Sequence, residues 1–159
     1  MSLGLDEEKA KEVERKREVD ANYRALLLIW VAFLASLIVI FIVTRLVQSD
    51  NEGPRVLFLI LLPIAIGNIG ASFILKHKIL KTAIEQRKPE LVRGAYIIAL
   101  ALCESAATFG LVVHIATGVE FYYFFFVLGG FGILLHKPQR NDLLAAYAET
   151  GIWEARKND

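Results

Sequence analysis

From position 25 to position 44 the chain runs through twenty consecutive residues without a formal charge, bracketed by Arg24 and Arg45. At about 1.5 Å of rise per residue, such a run makes a helix of about 30 Å, the thickness of a bilayer's hydrocarbon core. A chain of 159 residues that is 55% apolar holds more apolar surface than a soluble core of that size can enclose, so the excess is expected to face lipid.

Three more runs have this character. The segment 56–75 contains Pro63, Gly67, Asn68, Gly70 and Ser72 and stops at Lys76, His77 and Lys78. The segment 94–117 is interrupted by Glu104 and His114, and a charge at its centre costs about 3 kcal/mol on insertion scales. The segment 119–135 is short, its uninterrupted part from Phe121 to Leu135 making about 23 Å of helix. Thr117, Gly118, Val119 and Glu120 leave room for only a tight turn before it, so the third and fourth runs are expected to form an antiparallel hairpin. The expected fold class is an all-α membrane protein with four transmembrane helices, 25–44, 56–75, 94–117 and 119–135. A charged cytoplasmic helix, 1–24, precedes the 25–137 membrane domain, which contains a basic loop, 76–93. A tail with a short helix, 138–159, follows.

Lys and Arg are distributed asymmetrically. Six lie in 1–24, six in 76–93 and four after Leu135, against one from Ser49 to Arg55 and none in the turn at Gly118. By the positive-inside rule both termini and the basic loop are cytoplasmic, in a multi-pass protein of the inner (plasma) membrane. Asp50, Glu52 and Glu120 then lie outside, with Tyr122 and Tyr123 at the depth of an aromatic belt; Trp30 is deeper than a belt residue should be. Seven acids and six bases precede the first apolar run, unlike a cleaved signal peptide, so that run is expected to be a retained anchor. A net charge of +1 gives no attraction to nucleic acid, and the lone Cys103 excludes an intrachain disulfide.

Outside the apolar runs, the spacing predicts a charged helix from Asp6 to Asp20 with Glu7–Lys11 and Glu12–Lys16 pairs. Ile79, Ala83 and Ile84 share a helical period that prolongs the second helix until Pro89 interrupts it. Asn141 or Asp142 is placed to cap a tail helix containing Leu143, Leu144 and Tyr147. Pro63 is expected to kink the second helix.

Glu104 is the strongest chemical anomaly. About ten residues into its run it lies roughly 15 Å deep, near the midplane, where a carboxyl must hold its proton or meet a counter-charge. On a helical wheel Ala99, Cys103, Ala106 and Gly110 form a small-residue stripe suited to close packing. Glu104 projects more than a quarter turn from it, on a face with Ile97, Leu100, Thr108 and Leu111. Asn68 lies at a similar depth on the second helix and Ser72 one turn nearer the cytoplasm, so Glu104, Asn68, Ser72 and Thr108 make a candidate ion-binding set. The same amide and hydroxyls also satisfy a protonated carboxyl as structural hydrogen-bond partners. Both readings stay open here.

The remaining signals are weaker. His114 reads as an interfacial histidine, and His77 and His136 lack the further ligands a metal centre needs. Gly67 and Gly70, and Gly129, Gly130 and Gly132, read as positions of close packing or flexibility. No phosphate-binding loop, nucleophile elbow or zinc-protease motif occurs, so no catalytic residue, metal or cofactor is assigned and an enzymatic role is not expected.

One stretch carries a family likeness. Arg87-Lys88-Pro89-Glu90-Leu91, then Ala99 to Ala106 with Cys103-Glu104-Ser105, then Phe109-Gly110-Leu111-Val112-Val113 resembles the membrane rotor proteolipid, subunit c, of rotary ATP synthases. The resemblance implies that Glu104 is the ion-carrying carboxylate and that Arg87, Lys88 and Pro89 form a loop docking a soluble partner. It covers about a third of the chain, and the preceding helix lacks that family's long glycine repeat. The functional expectation is a proton- or cation-binding membrane component, in a homo-oligomer or as one subunit of a larger membrane complex. The alternative is an accessory subunit without a transport role.

Overall fold

The computed structural model describes residues 3–47 and 53–147, with side chains at Ala10 and from Glu12 onward. The side chains of the Glu7–Lys11 pair, the loop residues Ser49, Asp50 and Glu52, and the tail beyond Tyr147 lie outside the described residues. Those described form helices α1 (Leu3–Leu46), α2 (Val56–Gln86), α3 (Pro89–Thr117), a 3-10 turn (Glu120–Tyr122), α4 (Tyr123–Leu135) and α5 (Arg140–Tyr147), with no strand among them.

The charged segment and the first apolar run are one helix rather than two. No glycine or proline occurs between Leu5 and Leu46, so nothing separates the solvated part from the apolar part. The Glu12–Lys16 pair closes at 2.7 Å. Likewise α2 passes through Lys76, His77 and Lys78 without a break, with Pro63 inside it and exposed. The basic loop thus shrinks to Arg87 and Lys88. Arg87 adopts the left-handed conformation (φ 53°), and the Arg87 and Lys88 N–H groups donate to the Ile84 and Ala83 carbonyls. Pro89 then opens α3, where its missing N–H leaves no helical bond unmade.

At the other end of α3, Gly118 (φ 60°) sends its N–H to the His114 carbonyl at 2.9 Å, a left-handed cap that a Cβ would strain. The hairpin expected there is present. Trp30 explains its own depth, since its indole N–H donates to the Ile133 carbonyl at 2.8 Å and ties α1 to α4. Asp142 does not cap α5; it sits in the first turn and accepts a hydrogen bond from Tyr96.

α3 is the central element, touching all four other helices. Its small-residue stripe is the packed face: Ala99, Cys103, Ala106 and Gly110 are all buried. α4 meets this stripe through glycines of its own. A Cβ on Gly129 would lie 2.8 Å from the Cys103 carbonyl oxygen, and one on Gly132 would lie 2.7 Å from Cys103 Sγ. Gly67 and Gly70 differ, for nothing among the described residues lies within 4 Å of a Cβ there. Leu100, placed by the wheel on the Glu104 face, is instead fully buried with Cys103 and Ile133.

Helix α1 from Glu12 to Leu46, α2 and α3 are long and apolar enough to cross a membrane. The 13 residues of α4 fall short, and α4 with its 3-10 turn reaches that length only when joined to α5 across a 46° bend. The reason is His136 to Gln139, a polar break containing Pro138 that stops the apolar helix at Leu135.

Candidate functional site

Glu104 sits near the middle of α3, fifteen residues after Pro89 and thirteen before Thr117. It is half-buried, and around it α3 exposes Ile97, Ala101, Thr108 and Val112. Because the small-residue stripe faces α4, this side is turned outward. The Glu104 carboxylate has no hydrogen-bond or ion-pair partner among the described residues. Thr108, one turn along, donates weakly at 3.4 Å to the Glu104 backbone carbonyl, not to its side chain.

The other candidates lie at different places. The Asn68 amide donates to Ser105 Oγ at 2.8 Å, and Ser105 in turn donates to the Leu102 carbonyl. This bond pins α2 to α3 one residue along from Glu104 and commits the amide to Ser105. Ser72 is turned into the interior, away from that face, and is fully buried against His136 and Cys103. The structure therefore gives the Glu104 carboxylate none of the three as a partner: Asn68 is held by Ser105, Thr108 by the α3 backbone, and Ser72 lies in a separate layer. Arg87 and Lys88 are exposed at the tip of the α2–α3 turn, with Pro89 half-buried behind them.

That separate layer is a polar chain the sequence reading missed. Ser72 Oγ lies 2.8 Å from His136 Nε2 and donates to the Ile69 carbonyl at 2.6 Å. The Cys103 thiol faces the same oxygen at 3.6 Å. Ser72 has one proton; with it on the Ile69 carbonyl, His136 must supply the N–H of their bond. The imidazole is then a donor and not a base to the serine, and both side chains are sealed from solvent, so the pair is structural rather than nucleophilic. His136 Nδ1 is buried without a partner among the described residues. Nearby, Lys76 Nζ stands 4.1 Å over the Tyr96 ring. The Tyr96 hydroxyl donates to Asp142 and accepts the Gln139 N–H at 3.0 Å, which latches α5 onto α3. The sequence did carry a signal, since Ser72 and Lys76 stand four residues apart on one helical face.

His136 lies one residue beyond the fourth apolar run, in the break before α5. Burial, and after it the charge of Lys76, push its imidazole down from the ordinary 6.5 to about 4. His77, by contrast, is exposed. No group of three or more His, Cys, Asp or Glu side chains suited to a metal ion occurs among the described residues.

At the far end of α3, His114 Nε2 donates to the Val47 carbonyl at 2.9 Å, and its ring packs on Tyr122 at 4.5 Å. An open cleft of about 670 Å³ lies there, lined among others by Arg55, Phe58, Gly118 and Glu120. Comparison of the chain with protein-family models, with curated proteins and with solved structures finds no match in any of the three.

Proposed function

We propose that this chain is a four-span membrane protein, with its termini and the α2–α3 turn on the cytoplasmic side, that binds a proton or cation at Glu104 where a neighbouring subunit completes the site. The observation that carries the reading is a carboxyl at mid-helix on an outward, apolar face with no internal partner. In hydrocarbon such a group is stable only with a proton, or with a cation and ligands supplied from outside the bundle. The likeness of 87–113 to the rotor proteolipids points the same way, since it places the ion-carrying carboxylate at this residue.

Four crossings are supported by where the chain returns. Leu143 and Ala146 of α5 pack with Val19 and Leu26 of α1, Arg140 pairs with Asp20 at 2.6 Å, and Asn22 donates to Tyr147. With α1, α2 and α3 each crossing once, α4 must cross back to bring α5 beside the start of the apolar run of α1. Its shortness fits a helix that enters through the Glu120–Tyr122 turn and ends at a polar boundary layer.

Treatment with a hydrophobic carbodiimide tests the site. Glu104 is expected to be modified covalently, more slowly at raised pH or with added sodium, and a Glu104→Gln chain should yield no adduct. An unmodified Glu104, or modification indifferent to both pH and sodium, refutes ion binding. A second reading, an accessory subunit, draws on the exposed Arg87 and Lys88 at the turn tip and on the solvated extension of α1. Native mass spectrometry of gently extracted membranes separates the two: many identical copies favour the first, and one copy with foreign subunits the second.

A further inference from the structure

We infer that the end of the bundle holding α5 carries a basic collar that binds the headgroups of anionic phospholipids. The inference rests on the membrane-spanning reading but not on any role of Glu104. Its members are Arg24, Lys78, Arg93 and Lys137, one from the edge of each apolar run, and all four are exposed.

The fold brings these four to one end. Val19 and Leu26 flank Arg24 in sequence, Val92 and Tyr96 flank Arg93, and all four flanking residues share a buried cluster with Ala83 and Leu143. The Ser72–His136 contact sets Lys137 beside the same part of α2, and the Lys76–Tyr96 contact fixes the level of Lys78. The helices therefore present the four cations around the bundle, within about two helical turns of one level. Long Lys and Arg side chains lie along apolar surface while their charged ends reach the headgroup layer, which erases much of the remaining stagger.

Of the acids at this end, Glu18 and Glu90 are exposed and form no salt bridge among the described residues, and three others are engaged elsewhere. Glu85 faces Lys81, Asp20 faces Arg140, and Asp142 accepts from Tyr96. Among the described residues none of the four collar cations makes a salt bridge. The opposite end offers only Arg45 and Arg55 near the apolar runs, with Glu120 exposed beside them, and so no comparable field. A ring of unpaired ammonium and guanidinium groups at the edge of hydrocarbon matches phosphodiesters anchored at that same edge, with the two arginines able to bind phosphate oxygens bidentately. The lipid would bridge neighbouring helices, so binding should strengthen the assembled bundle rather than any one helix.

The test titrates the full chain, purified in mild detergent, with phosphatidylglycerol or with phosphatidylcholine of the same acyl chains. Bound lipid is read by native mass spectrometry and stability by thermal unfolding. Phosphatidylglycerol is expected to bind preferentially, to raise the melting temperature, and to lose both effects at high salt. Affinity should fall about fivefold for each of Arg24→Gln, Lys78→Gln, Arg93→Gln and Lys137→Gln, while a chain carrying Arg24→Lys and Arg93→Lys keeps the preference. The single variants carry the test if the quadruple one fails to fold. Equal binding of the two lipids, singles that bind as the parent does, or the same stabilisation from inorganic phosphate at matched concentration would each overturn the collar. Alkaline carbonate extraction of native membranes separates this from failure of the spanning reading: a chain released by carbonate refutes the spans, whereas one retained without lipid preference refutes only the collar.

Discussion

His136 shows how a single residue at the end of an apolar helix can decide the chemistry around it. Its fully buried imidazole bonds Ser72 and lies against Phe73, whose ring centroid is 4.3 Å away, and Lys76 is the neighbouring charge. The folded-state value near 4 lies below the ordinary 6.5, so between those limits the folded chain binds fewer protons than the unfolded chain. The stability tied to His136 is therefore complete above about pH 6.5 and drains away as pH falls toward 4. Thermal unfolding in detergent should show the melting temperature dropping across that window, and His136→Gln should flatten the drop. A parent chain as stable at pH 4.5 as at pH 7.5 would contradict the burial described. Glu104 represents the opposite case, a group whose position was legible from sequence while its surroundings were not. Its place at mid-helix followed from counting residues; that Asn68 would be engaged by Ser105 and Ser72 by His136 depends on two other helices.

Among the elements, α3 and α4 are held by glycines at their closest approach, with Phe125, Phe126 and Ile133 of α4 buried on either side. In a bilayer, lipid is as apolar as leucine, so helices associate through close van der Waals contact and small residues that permit it. Gly129→Ala would drive a Cβ against the Cys103 backbone oxygen, which cannot swing aside, and should cost about 1–3 kcal/mol. Gly67→Ala and Gly70→Ala meet open space and should be neutral, or stabilising by up to about 1 kcal/mol through helix propensity. Chemical unfolding of the detergent-solubilised chain compares the three directly. The sequence marked both glycine groups alike as positions of close packing or flexibility, since a glycine reads the same whether it faces a helix or nothing. The turns were better encoded. Pro89 and Gly118 act through their own backbones, so the ends of α3 lie where these residues dictate.

For the whole molecule, the expected arrangement is four crossings with α5 returned beside the start of the apolar run of α1. In a Cys103→Ala background, Lys88→Cys should react with a membrane-impermeant maleimide only after cells are opened, and Glu120→Cys in intact cells. Labelling of both from the same side would exclude the proposed topology. The helical class, the prolongation of α2 toward Pro89, the hairpin between α3 and α4 and the mid-helix place of Glu104 were determined by the sequence alone, because charge spacing, helix rise and turn residues act along one dimension. The continuity of α1, the burial of Leu100, the outward direction of Glu104 and the Ser72–His136–Tyr96–Asp142 layer were decided only by tertiary structure. Where lipid and protein interior are equally apolar, hydrophobic periodicity does not distinguish a face packed on a helix from one turned to hydrocarbon. That choice belongs to the sum of close contacts and hydrogen bonds between segments far apart in the chain.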